Sequence, residues 1–160
     1  MPDTATDITF GDGVYRAWLP LPQAVELERK CGIADRDGRV QPKSLFTIYE
    51  QIGDGFGADV EGNIVFLGGA SVPARDCNEV IRLALIGGNS GPEENGSEEV
   101  GPQRALRLVE LYGYPARPLS EVAATAWKIL HAAIVGISLK KKAEPTEDKP
   151  SRRTSKKVSS

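Results

Sequence analysis

One long apolar stripe near the C-terminal end constrains this chain more than any other feature. From Leu119 to Leu139, the residues Leu119, Val122, Ala123, Ala126, Trp127, Leu130, Ala133, Ile134 and Ile137 recur at steps of three and four. That spacing puts them on one side of a 3.6-residue helix, and such a stripe is stable only when other elements cover it. Lipid is not expected to do so. The longest apolar stretch, Ala132 to Ile137, is too short to cross a bilayer. The first ten residues carry no basic n-region and no apolar h-region, so no signal peptide is expected and the cytoplasm is the expected compartment.

The covering elements can be read upstream. Ile8 to Leu19 reads as a β-hairpin, with Gly11-Asp12-Gly13 at its turn and the strand formers Val14-Tyr15-Arg16-Ala17-Trp18-Leu19 after it. A two-stranded hairpin is marginal alone, so it should pack on helices. Pro22 opens a first helix with Val25, Leu27 and Cys31 as apolar positions and Gly32 as its stop. Ala34 to Pro42 reads as a polar loop. Ser44 can cap a second helix whose face is Leu45, Ile48, Tyr49 and Ile52, ended by Gly53. Asp54 to Gly69 is glycine-rich around Ile64-Val65-Phe66-Leu67, a short strand or an ordered loop. A third helix spans about Pro73 to Ile86, with Ser71 as candidate cap and Val80, Ile81, Leu83, Ala84 and Leu85 as core. Gly87 to Gly101 is an acidic, flexible loop. A fourth helix runs from about Pro102 to Tyr112 on Ala105, Leu108, Val109 and Tyr112, and Gly113-Tyr114-Pro115 breaks it.

These elements predict a mainly α, α+β fold: a small helical domain of about five helices with an N-terminal β-hairpin over residues 1–139. The stripe stops where Lys, Glu, Pro and Ser take over, and residues 140–160 are expected to be a disordered basic tail, because so few apolar groups cannot offset the entropy of ordering. The charge divides at the same place. The tail holds eight basic and three acidic residues, whereas residues 1–139 hold twelve basic and nineteen acidic. An acidic body lacks the clustered Lys and Arg of a folded nucleic-acid surface, so a nucleic-acid partner is not expected.

No constellation of reactive groups stands out. Asp35-Arg36-Asp37-Gly38-Arg39-Val40 has the look of a calcium loop. Aligning Gly38 with that loop's glycine, however, puts Ile33 and Ser44 where an oxygen donor and a bidentate Glu are required. A polar turn is the better reading. Gly53-Asp54-Gly55-Phe56-Gly57 and Gly87-Gly88-Asn89-Ser90-Gly91 are not followed by Gly-Lys-Ser/Thr, so they are linkers rather than phosphate loops. His131 is the one histidine and has no Cys or acidic cluster beside it, which reads as a helix-surface or core-edge residue. Cys31 and Cys77 sit in apolar patterns and read as buried, reduced thiols. The expectation is therefore no catalytic residue, no cofactor and no metal.

The segment Arg117-Pro118-Leu119-Ser120-Glu121-Val122-Ala123-Ala124-Thr125-Ala126-Trp127-Lys128-Ile129-Leu130-His131-Ala132-Ala133-Ile134-Val135-Gly136 resembles the C-terminal helix of the gene transfer agent family of phage tail assembly chaperones, a family also labelled phage tail tube protein. Gly13-Val14-Tyr15-Arg16-Ala17-Trp18-Leu19 leading into Ala24-Val25-Glu26-Leu27-Glu28 is similar to its hairpin and first helix. Arg75 to Leu85 followed by Gly87-Gly88 is similar to its middle helix. The resemblance covers roughly residues 13–136. Extra residues at Ala58 to Leu67, the loop Pro92 to Val100 and the charged tail depart from it.

The resemblance implies a non-enzymatic protein that binds the tape measure protein, an aggregation-prone helical chain, before the tail tube polymerises. The tail tube protein is a second implied partner, and no membrane is involved. Such a role needs an apolar face that can hold helices; Trp18, Leu21, Tyr49 and Trp127 are the candidates, each of them also readable as ordinary core. Lys140-Lys141-Lys142 falls where a slippery A-rich codon run could yield a longer frameshifted product. Two other readings compete: a structural tail component, either a tube or a head–tail connector protein, and a nucleic-acid-binding regulator that uses the basic tail.

Overall fold

The structure, a computed structural model, describes residues 2–91 and 99–137. The expected disorder of 140–160, the lysine run at 140–142 and the middle of the acidic loop lie outside the described residues. The element order is β1 (Thr6–Phe10), β2 (Gly13–Ala17), α1 (Leu21–Lys30), β3 (Ile33–Ala34), β4 (Val40–Gln41), α2 (Leu45–Gly53), β5 (Phe56–Ala58), β6 (Ile64–Phe66), α3 (Ala74–Gly88), α4 (Pro102–Tyr112) and α5 (Leu119–Ile134). Among the described residues, five helices with three two-stranded antiparallel ladders make this an α+β fold dominated by helix.

The hairpin forms as the turn chemistry dictates. Phe10 pairs with Gly13, leaving Gly11 and Asp12 as a two-residue loop. Gly11 takes φ 62°, which glycine adopts without steric cost at the first turn position. A methyl group there would also run into the Tyr112 ring, so the turn lies directly against α4. Alternation along β1 buries Thr6, Ile8 and Phe10, and β2 buries Tyr15 and Ala17.

Helix α3 is the hub, packed against α1, α4, α5 and β2. Its C-terminal part lies along β2 and the residue after it: Trp18 N–H donates to the Ala84 carbonyl at 3.0 Å, and Arg16 N–H donates to the carbonyl of Ser90, just past the helix, at 3.0 Å. Side chains at Gly87 or Gly88 would collide with the Trp18 and Arg16 carbonyls, so these two glycines permit the close approach of helix to strand. Val80, Ile81, Leu83, Ala84 and Leu85 are all buried around this contact.

The helix ends follow local rules with two corrections. Ser44 Oγ accepts from Phe46 N–H and caps α2. Ser71 does not cap α3; Pro73 holds the cap position and no side chain bonds there. Helix α5 stops at Ile134 rather than continuing to Leu139. Gly136 takes φ 88°, and the N–H groups of Val135 and Gly136 close on the carbonyls of His131 and Ala132. Leu27 in α1 and Cys31 at its C-cap are buried, but Val25 is 54% exposed, because among the described residues no element covers that side of the helix. The expected polar loop at 34–42 carries the small β3–β4 ladder, closed by a turn in which Asp35 Oδ1 accepts from the N–H groups of Asp37 and Arg39. That carboxylate supports its own backbone, as a polar turn requires.

Candidate functional site

A largely apolar cleft lies where α2, α5 and the β5–β6 hairpin meet. Tyr49 is third in the apolar row of α2, in which Ile48 and Ile52 are fully buried and Leu45 partly so. Trp127 and His131 stand four residues apart on α5, and so share a helix face. The three rings assemble into one stack. Tyr49 and Trp127 lie 5.6 Å apart at 18°, Trp127 and His131 lie 4.7 Å apart at 22°, and Tyr49 Oη shares a 2.7 Å hydrogen bond with His131 Nδ1. Partial burial raises the Tyr49 hydroxyl pKa above its usual value, so it stays protonated at neutral pH.

All three side chains are half-buried and line a cleft of about 630 Å³, together with Phe56, Ala58 and Ile64 from the hairpin and Glu50 and Asp54 from the end of α2. A methyl at Gly53 would press on the Trp127 indole, so the glycine that ends α2 also makes room for the ring. The hairpin wall is itself exposed. Ile64, Val65, Phe66 and Leu67 are 40%, 37%, 55% and 70% accessible, and Phe66 packs edge-on to Phe56 at 5.5 Å. Four consecutive accessible apolar residues are unusual on a surface that meets only water. The turn of this hairpin is braced by Asp59, whose carboxylate accepts from the N–H groups of Glu61 and Asn63. Those donors hold its pKa below the usual carboxylate range.

Of the four candidates proposed from sequence, the structure brings two together. Tyr49 and Trp127 stack in the cleft. Trp18 and Leu21 are not among its lining residues. Trp18 donates its indole N–H to Thr4 Oγ1 at 3.0 Å and ties the N-terminal segment to the hairpin. Leu21 is 76% exposed at the start of α1. Sequence reasoning missed Phe56 and Ile64, and read His131 as a helix-surface or core-edge residue without giving it a role. The four-residue step from Trp127 to His131 was a usable signal. The packing of a separate hairpin over them left none.

A second polar feature is buried. Asp76 is fully inaccessible in the first turn of α3 and pairs with Lys43 Nζ at 2.7 Å, which also donates to Gln51 Oε1 at 3.2 Å. Cys31 lies beside it. Burial, reinforced by the Asp76 charge, pushes the Cys31 thiol up to about 12, and burial does the same to Cys77. Such thiols are poor nucleophiles. Among the described residues no group of three or more His, Cys, Asp or Glu is placed to hold a metal ion, and no helix is long and apolar enough to cross a membrane.

Comparison with known proteins decides nothing further. No protein-family model, curated protein or solved structure matches this chain.

Proposed function

We propose that this chain is a non-enzymatic tail assembly chaperone of a phage or gene transfer agent, and that it binds the tape measure protein through the α2–α5–hairpin cleft. One observation carries the reading: the Tyr49–Trp127–His131 stack is left half-open beneath a hairpin whose own apolar residues face solvent. A soluble chain gains nothing from leaving this surface in water, whereas a carrier of apolar helices needs it. Aromatic faces suit the task because they bury large area with few rotamers to freeze. The resemblance of the α5 segment to that family supports the same reading. The alternative of a tube subunit has less support, since among the described residues the strands are two to five residues long and form three separate pairs.

The test is co-expression with the tape measure protein of the same gene cluster. The expected result is a rise in soluble tape measure protein that co-purifies with this chain. Trp127→Ala should abolish the rescue while the far-UV circular dichroism stays native-like. Absence of rescue by the wild-type chain, or its recovery from purified particles at ring stoichiometry, would overturn the proposal.

A further inference from the structure

The charge around the cleft says what kind of segment it prefers. Between Ser44 and Ala74, the stretch that supplies α2 and the β5–β6 hairpin, there are four acidic residues and no Lys or Arg. Glu50 and Asp54 line the cleft, while Asp59 and Glu61 sit on the hairpin turn beside the lining residue Gly62. All four are exposed, and none has an ion-pair partner among the described residues. The opposite wall, α5, contributes His131 to the lining and the exposed Lys128 next to Trp127. The site is thus an aromatic and aliphatic floor with an unneutralised acidic rim on one side.

We infer that the cleft recognises a partner segment carrying a bulky apolar anchor flanked by Lys or Arg. This rests on the reading of the cleft as a docking site, and adds to it the chemistry of the occupant. The anchor would enter between the Trp127 and Phe56 rings. The flanking cations would lie against Glu50 and Asp54 on one side and the hairpin turn on the other. Rim charges of this kind favour the right partner and raise its association rate more than they deepen binding. A segment with acidic flanks would face the same four carboxylates and be repelled.

The test titrates two short helical peptides, with the same central Leu-Phe anchor and either Lys or Glu flanks, into the ¹⁵N-labelled full chain. The indole N–H resonance of Trp127 is followed, with Trp18→Phe used to assign it. The Lys-flanked peptide should move that resonance and bind about tenfold tighter at low salt, since two or three exposed charge pairs are worth that much. The preference should fade in high salt. In the Glu50→Gln/Asp54→Asn double variant it should shrink to a few-fold while the Glu-flanked peptide binds no worse. Equal affinity of the two peptides, or a preference for Glu, would overturn the charge inference and leave the cleft as a docking site. Failure of both peptides to move Trp127 would overturn the cleft as a docking site as well. The chain's own C-terminal run, Leu139-Lys140-Lys141-Lys142, has the same chemistry. If the full-chain Lys140→Glu/Lys141→Glu/Lys142→Glu variant shifts the Trp127 indole with no peptide added, the occupant is that tail, and the assignment to a separate partner is overturned.

Discussion

Helix α5 and the β5–β6 hairpin are both rich in apolar residues and meet opposite fates. On α5, Ile129 and Leu130 are 1% and 0% exposed; on the hairpin, Phe66 and Leu67 are 55% and 70% exposed. Residue hydrophobicity does not separate them. The number of neighbouring layers does. Helix α5 packs against α3, α2 and β1, so its stripe is closed from several directions, while the hairpin touches α2 and α5 on one side and, among the described residues, is left accessible on the other. Burial belongs to the assembly of elements, and an apolar run covered on one side only remains a surface.

The comparison breaks most readily at the closed end. Leu130→Ala should cost about 4 kcal/mol in urea unfolding, because a fully buried side chain in a site walled by helices leaves a cavity that cannot collapse. A loss below about 1 kcal/mol would show that the α3–α5 interior is looser than its burial implies. Next comes Asp76→Ala, at about 3 kcal/mol. Removing one partner of a buried ion pair leaves the other charge uncompensated. The loss should fall at the low end of that range, because Lys43 keeps Gln51 as an acceptor and its side chain is 11% exposed, enough to reach water. Lys43→Met combined with Asp76→Leu should recover most of the loss, which would identify the uncompensated charge as its cause.

A smaller effect is expected from pH. In the folded chain Cys31 and Cys77 titrate near 12 against an ordinary value near 9. Because the folded pKa is raised, the folded state holds these protons longer than the unfolded state does. The associated stability is therefore complete below about pH 9 and declines as pH rises towards 12. The urea midpoint should fall over that window, and fall less in the Cys31→Ala/Cys77→Ala variant, where only groups such as the raised hydroxyls of Tyr15 and Tyr49 still contribute. Alkylation at pH 8 should proceed only as fast as the chain opens.

How much of this was legible in the sequence follows the same division. The α5 stripe, the bounds of α4, the Ser44 cap, the core list of α3 and the burial of both cysteines could all be read, because periodicity and caps are local properties. The stripe nevertheless omitted Ile129 and Ala132, which are buried because α5 is covered over more of its circumference than one face. Its end was misplaced by reading apolar spacing past Gly136, a residue whose left-handed backbone stops the helix. The cleft was half legible. Tyr49 and Trp127 could be named as aromatic residues on apolar faces, but Phe56 and Ile64 reach them only through a hairpin that crosses from one helix to the other. Trp18 and Leu21 shared the same composition cues and lie elsewhere for the same reason.

The sharpest discrimination between the two regions comes from the change with the least effect on folding. Phe66→Ser removes a ring that is more than half exposed and touches Phe56 edge-on. The folded state loses part of one aromatic contact and the burial of a partly hidden ring, so stability should change by less than about 1 kcal/mol. The surface should change more than the stability does: binding of an environment-sensitive apolar dye should fall, and rescue of the tape measure protein should weaken. If instead Phe66→Ser unfolds the chain as readily as Leu130→Ala, the hairpin is part of the core, and its exposed residues are a consequence of holding the cleft shut. A small stability change with lost rescue would place hairpin and core on separate sides of the comparison, one kept for docking and the other for folding.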